Sequence, residues 1–181
     1  MPSTPSTILD FWFDDAHKPK WFSKDDIFDA RIKADFEATY KAARIGDLSG
    51  WMTTPEGALA LVIVLDQFPR NMYRDTPKAF ETDSAACHAA VMAIEKGFDS
   101  RLSKEQRIFL YMPFMHAESL PLQQKALDLF GSLGIEKNMQ YAKAHHDIIA
   151  KFGRFPHRNL VLERSTTPEE ALFLKQPGSS F

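Results

Sequence analysis

Four Thr-Pro dipeptides, Thr4-Pro5, Thr54-Pro55, Thr76-Pro77 and Thr167-Pro168, constrain this chain more than any other feature. A threonine hydroxyl accepts from the orphan N–H groups of a first helical turn, and proline at the first helical position gives up only an N–H that has no partner there. Each dipeptide therefore predicts a helix start. Thr167 with Glu170 completes a T-x-x-E capping box, and Ser23 with Asp26 and Ser103 with Gln106 repeat its logic. Gly46, Gly97, Gly134 and Gly153 each follow a helix-like run, where a left-handed cap would end it.

Between these marks the apolar period is helical. Phe28, Ile32, Phe36 and Tyr40 step by four along a helix predicted from about Asp25 to Ile45. The segment from about Pro55 to Phe68 is apolar on all sides, as a helix walled in by its neighbours would be. A buried strand competes there because Val62-Ile63-Val64 is β-branched, but the Thr54 cap and the segment's length favour helix. Further helices are predicted at about Pro77–Lys96, Lys104–Met112, Pro121–Leu133, Ile135–Phe152 and Pro168–Leu174. The small face of Ala85, Ala86, Ala89, Ala90 and Ala93 permits close helix approach, and short connections favour antiparallel neighbours. The expectation is an all-α single domain of seven to eight packed antiparallel helices over residues 1–175, with a flexible tail at 176–181.

Composition narrows the partners. With 22 basic and 24 acidic residues in 181, the net charge of −2 supplies no field for nucleic acid or anionic membrane. Ala58–Leu65, the nearest approach to a membrane span, is far too short. The lone Cys87 forms no internal disulfide, and Met1–Asp10 has no basic, apolar leader, so a reduced cytoplasmic setting is expected. Cys87 sits among small helical residues and reads as an inert packing side chain. No H-E-x-x-H, C-x-x-C, P-loop, G-x-S-x-G or dinucleotide fingerprint is present.

Functional signal is sought where polar groups break the apolar pattern. The segment Leu65-Asp66-Gln67-Phe68-Pro69-Arg70-Asn71 closes the most apolar helix, and Asp66, at a position that should be buried, needs a partner such as Arg70 or Arg74. A similar arrangement follows at Phe152-Gly153-Arg154-Phe155-Pro156-His157-Arg158-Asn159. Arg70, Arg154 and Arg158 from these two segments would make a fork-shaped receptor for carboxylate or phosphate; alternatively each pairs with an acid such as Asp66, Asp75, Asp147 or Glu163. In Tyr111-Met112-Pro113-Phe114-Met115-His116-Ala117-Glu118, Pro113 should break or kink the helix and bring His116 and Glu118 to a junction. His145 stands four residues after Tyr141 and four before Ile149, which turns its imidazole inward, with His146 at the margin. His116, Glu118, His145 and His157 would suffice in kind for Zn or Fe(II), but no spacing fixes their distances, so neither metal nor cofactor is assigned. Phe11, Trp12, Phe13, Trp21, Phe22 and Trp51 form an aromatic N-terminal third, read first as core.

The ordered motifs D-F-W-F, L-D-Q-F-P-R-N, Y-M-P-F-M-H-A-E and F-G-R-F-P-H-R-N resemble the bacterial family known as domain of unknown function 924, from about Ile8 to Leu174. The resemblance implies an all-helical, TPR-like fold and no established activity. The residues that match its motifs are Asp10, Trp12, Asp66, Gln67, Arg70, Asn71, Tyr111, His116, Glu118, His145, Arg154, His157, Arg158 and Asn159.

Three functions follow from the residues. The favoured one is a small anionic ligand held by Asp66, Arg70, Asn71, Tyr111, His145, Arg154, Arg158 and Asn159 in a pocket between helices. The second is a hydrolase, metal-assisted or with His116, Glu118 and His157 as acid–base groups. The third is a TPR-like scaffold for a protein partner. Polar exceptions gather at helix ends and not along one exposed face, which favours the pocket.

Overall fold

The structure, a computed structural model, describes Met1 to Ser180. Among these residues it is all-helical, without a strand. The α-helices are α1 Pro5–Trp12, α2 Asp26–Arg44, α3 Pro55–Met72, α4 Asp83–Glu95, α5 Lys104–His116, α6 Leu120–Leu133, α7 Glu136–Phe152 and α8 Pro168–Phe173, joined by short 3₁₀ turns. Two compact units form: Met1–Arg74 with Lys78–Pro113, and Asp75–Pro77 with the described residues from Phe114 onward. The expected flexible tail includes Phe181, which lies outside the described residues; before it, Gln176 N–H donates to the Phe173 carbonyl and Ser179 Oγ to that of Leu174.

The caps explain the boundaries. The Thr4, Thr54 and Thr167 hydroxyls accept from the N–H groups of Thr7, Gly57 and Glu170 at 3.1–3.3 Å. The Thr167–Glu170 and Ser103–Gln106 boxes are both closed. Gly134 and Gly153 end α6 and α7 with φ of 66° and 70°, a region that disfavours a side chain. Two starts differ from expectation. Asp25 and not Ser23 caps α2, because its carboxylate reaches the N–H groups of both Ile27 and Phe28. Thr76-Pro77 opens only a 3₁₀ turn, Pro77–Phe80, and α4 begins at Asp83.

In the first unit α3 is central, packed by α1, α2 and α4, with every residue but Glu56 and Arg70 buried. The helical alternative therefore holds for Val62-Ile63-Val64. Of the aromatic third, Phe11 and Trp12 are core and pack their rings against Phe28, Phe68 and Phe109, whereas Phe13, Trp21 and Trp51 are half-buried and Phe22 is 70% exposed. Cys87 is buried, and burial, followed by the charges of Asp66 and Asp83, pushes its thiol up to about 11, which leaves it unreactive.

The helix expected to stop at Phe68 continues through Pro69 to Met72. Proline lacks the N–H that would bond the carbonyl four residues back, here that of Leu65. The Thr82 hydroxyl supplies the missing donor at 2.6 Å, fully inside the protein. Thr82→Val should therefore strand a buried carbonyl and lower the unfolding free energy by about 1–2 kcal/mol in urea titration. An unchanged midpoint would show that Leu65 does not depend on this bond.

In the second unit α6 packs on α7 over a core that includes Ile148, Ile149 and Phe155. Pro113 does not end α5, which runs on to His116. Within the second unit the carbonyls at and just past the end of α5 are satisfied by side chains: Gln123 Nε2 donates to Met115 and Ala117 at 2.7 and 2.8 Å, and Arg158 Nη2 to His116 at 3.1 Å. No described helix is long and apolar enough to cross a membrane.

Candidate functional site

The candidate residues fall into both units, and each set has its own chemistry. In the first unit Asp66 is fully buried near the end of α3. It accepts from Gln67 Nε2 at 2.6 Å and lies 3.3 Å from Arg70 Nη1. Arg70 forks onto both oxygens of Asp83 at 2.8 and 3.0 Å and also donates to the Asp66 carbonyl. One turn position further, Asn71 Nδ2 donates to Asp29 at 2.7 Å, and Arg74 pairs with the same carboxylate through its Nε. Tyr111 donates to Asp99 at 2.8 Å; burial first, then that carboxylate, push its phenol up to about 12. Gln67 Nε2 also reaches Met112 Sδ at 3.4 Å, and Asp10, on α1, is exposed. Thus the L-D-Q-F-P-R-N motif ties α3 to its neighbours through charge-assisted bonds, and Arg70 has acids of its own chain.

The second unit gathers the remaining candidates around Phe155, which is fully buried in the turn after α7. His145 presents a ring edge to it at 5.5 Å between centroids, His157 lies at 5.6 Å, and the Arg158 guanidinium covers it at 4.6 Å. The His116 and His145 rings are 6.2 Å apart. As its spacing predicts, His145 is buried, with Nδ1 2.8 Å from the Tyr141 carbonyl; Nδ1 is therefore the protonated nitrogen and Nε2 carries the lone pair. Burial foremost, reinforced by positive charge at His116, Arg158 and His157, holds His145 at about 3, so it is neutral near pH 7. His116 and His157 are half-buried and form the rim of this cluster.

Glu118, in the turn between α5 and α6, is not positioned as a free acid or base. Its Oε1 accepts the Phe155 N–H at 2.7 Å, and Arg164 bonds both of its oxygens at 2.7 and 3.0 Å. Burial acts to raise this carboxyl, but the Arg164 and Phe155 donors, with the charges of Arg164 and Arg158, outweigh it and hold the group below the usual glutamate value. Arg154 forks onto Glu170 at 2.7 and 2.8 Å, which outweighs the upward push of burial and, with the Thr167 N–H, brings that carboxyl down to about 2. Asn159 Nδ2 donates to the same carboxylate at 3.2 Å. Glu170 therefore serves the capping box of α8, Arg154 and Asn159 together.

Among the described residues no group of three or more His, Cys, Asp or Glu side chains is arranged to hold a metal ion. Two surface grooves, of about 420 and 290 Å³, lie at α1–α2 and at α7–α8. Asp10 lines the first, and none of the eleven catalytic or ligand-binding candidates lines either. Arg164, Glu170, Asp83, Asp99 and Asp29 are partners of the candidate residues that lie outside the candidate set. Glu170 is visible in the sequence as a cap; nothing in local spacing marks the other four.

The family model for bacterial proteins of unknown function, DUF924, matches residues 8–178. A solved structure of a protein of unknown function from Agrobacterium tumefaciens is similar, with 43% sequence identity and a TM-score of 0.91 over 94% of this chain and 96% of that one. No curated protein matches.

Proposed function

Given that the chain belongs to DUF924, a bacterial family of unknown function, we propose that it binds a small oxyanion at the histidine–arginine cluster around Phe155. The observation that carries this reading is the convergence of His145, His157 and Arg158 on the Phe155 ring, with His116 beside His145. Positive and imidazole groups brought together around one apolar ring repel protonation, and a bound phosphate or carboxylate would relieve that repulsion. Arg158 supplies the permanent charge, while the half-buried His116 and His157 give access from solvent. Arg70 and Arg154 contribute scaffold in this reading, because each is already forked onto a carboxylate of the chain.

The hydrolase alternative draws less support, since both oxygens of Glu118 are engaged by Arg164 and the Phe155 amide. Thermal denaturation against inorganic phosphate tests the proposal. Wild-type protein should gain about 2.7 kcal/mol when phosphate stands at 100 times its Kd. Arg158→Gln should lose that gain, whereas Arg154→Ala should start less stable and keep it. Absence of a gain with phosphate, and with simple carboxylates, would sink the reading.

A further inference from the structure

The turn that carries His157 and Arg158 is held at both ends by a single guanidinium, that of Arg164. At the first end Arg164 Nη2 donates to the Phe155 carbonyl at 3.1 Å, while Glu118, itself forked by Arg164, takes the Phe155 N–H at 2.7 Å. At the second end Arg164 Nε donates to Asn159 Oδ1 at 3.1 Å, and the Arg164 N–H to the Asn159 carbonyl at 2.8 Å. Between these anchors lies the 3₁₀ turn Pro156–Arg158. The residue that returns the chain to make these bonds, Glu163, has a φ of 54°, a conformation that a glutamate adopts only where surrounding contacts impose it. Arg154 and Glu170 brace the outer side of the same turn, because Asn159 Nδ2 shares the Glu170 carboxylate.

We infer that Glu118 and Arg164 are positioning residues that fix His157 and Arg158 in the geometry needed for the oxyanion, an inference that rests on the binding reading above. A planar fork is essential to this task. The guanidinium meets a carboxylate, a peptide carbonyl and an amide oxygen in three directions, and the point charge of lysine cannot reproduce that arrangement. The pair is also placed where its worth to global stability is small: the Glu118 and Arg164 side chains are 26% and 23% exposed. Disrupting it should therefore loosen the turn more than it unfolds the protein.

The test is phosphate affinity by calorimetry, together with hydrogen exchange at the Phe155 amide, in wild type, Arg164→Gln, Arg164→Lys and Glu118→Gln. Both Arg164 variants should weaken phosphate at least tenfold and lose Phe155 amide protection, with melting temperatures within a few degrees of wild type. Glu118→Gln, which keeps an amide oxygen for the Phe155 N–H, should recover most of both. Wild-type binding matched by both Arg164 variants would overturn the inference and leave the binding reading intact. If wild type binds no phosphate the binding reading fails, and the positioning role is then judged by Phe155 exchange, supported by a loss of protection in Arg164→Lys and overturned by its retention.

Discussion

Arg70→Ala is expected to cost about 3–5 kcal/mol of unfolding free energy, the typical consequence of leaving a buried charge without its partner. Asp66 is fully buried and Asp83 mostly so, and one guanidinium serves both. Without it two carboxylates face each other in a region also occupied by the raised Cys87 thiol, and solvent cannot replace the lost charge at Asp66. The neutralised variant Asp66→Asn/Asp83→Asn/Arg70→Ala should be more stable than Arg70→Ala alone, since no uncompensated charge remains. Chemical denaturation of the three proteins decides the matter. A loss below about 1 kcal/mol for Arg70→Ala would place the pair among ordinary surface bridges and return Arg70 to the set of residues available to a ligand.

This network also shows where sequence reading stops. Helix starts at Thr4, Thr54, Ser103 and Thr167 and stops at Gly134 and Gly153 are legible because a cap and its helix lie within a few residues. Asp66 was legible too, as a carboxylate inside an apolar run that demands a partner nearby. What was not legible is tertiary compensation. Pro69 reads as a helix end until Thr82, 17 residues away from Leu65, is known to satisfy the freed carbonyl. The same holds for charge pairing: Arg154 meets Glu170 across 16 residues and Glu118 meets Arg164 across 46, separations at which no periodic pattern links partners. As a result the F-G-R-F-P-H-R-N motif stands out in the sequence as a polar break, while the division of labour inside it does not. Arg154 braces, and Arg158 lies on Phe155 beside three imidazoles.

Those imidazoles give the second large effect, an acid lability centred on His145. Its folded value is about 3 against an ordinary 6.5, so between these limits the unfolded chain binds a proton that the folded chain refuses. Stability from this group is complete above about pH 6.5 and falls as pH decreases, by about 1.4 kcal/mol per unit, until the folded imidazole itself protonates. The accumulated loss by pH 3 is about 5 kcal/mol, a large part of what holds a domain of this size together. Glu170, lowered from 4.5 to about 2, adds to the loss only in the lower part of the range, as its unfolded form takes up protons below about 4.5. The interval from pH 6.5 to 4.5 therefore isolates the histidine from the Glu170 contribution. Denaturant unfolding through that interval should show a stability that declines in wild type and is much flatter in His145→Gln, which retains a donor for the Tyr141 carbonyl. Phosphate should oppose the decline if it binds beside His116 and His157, because an anion there cancels the positive charge that helps keep His145 neutral. Equal slopes in the two proteins would mean that His145 is hydrated and titrates normally, and the cluster would then lack the buried neutral centre on which the oxyanion site depends.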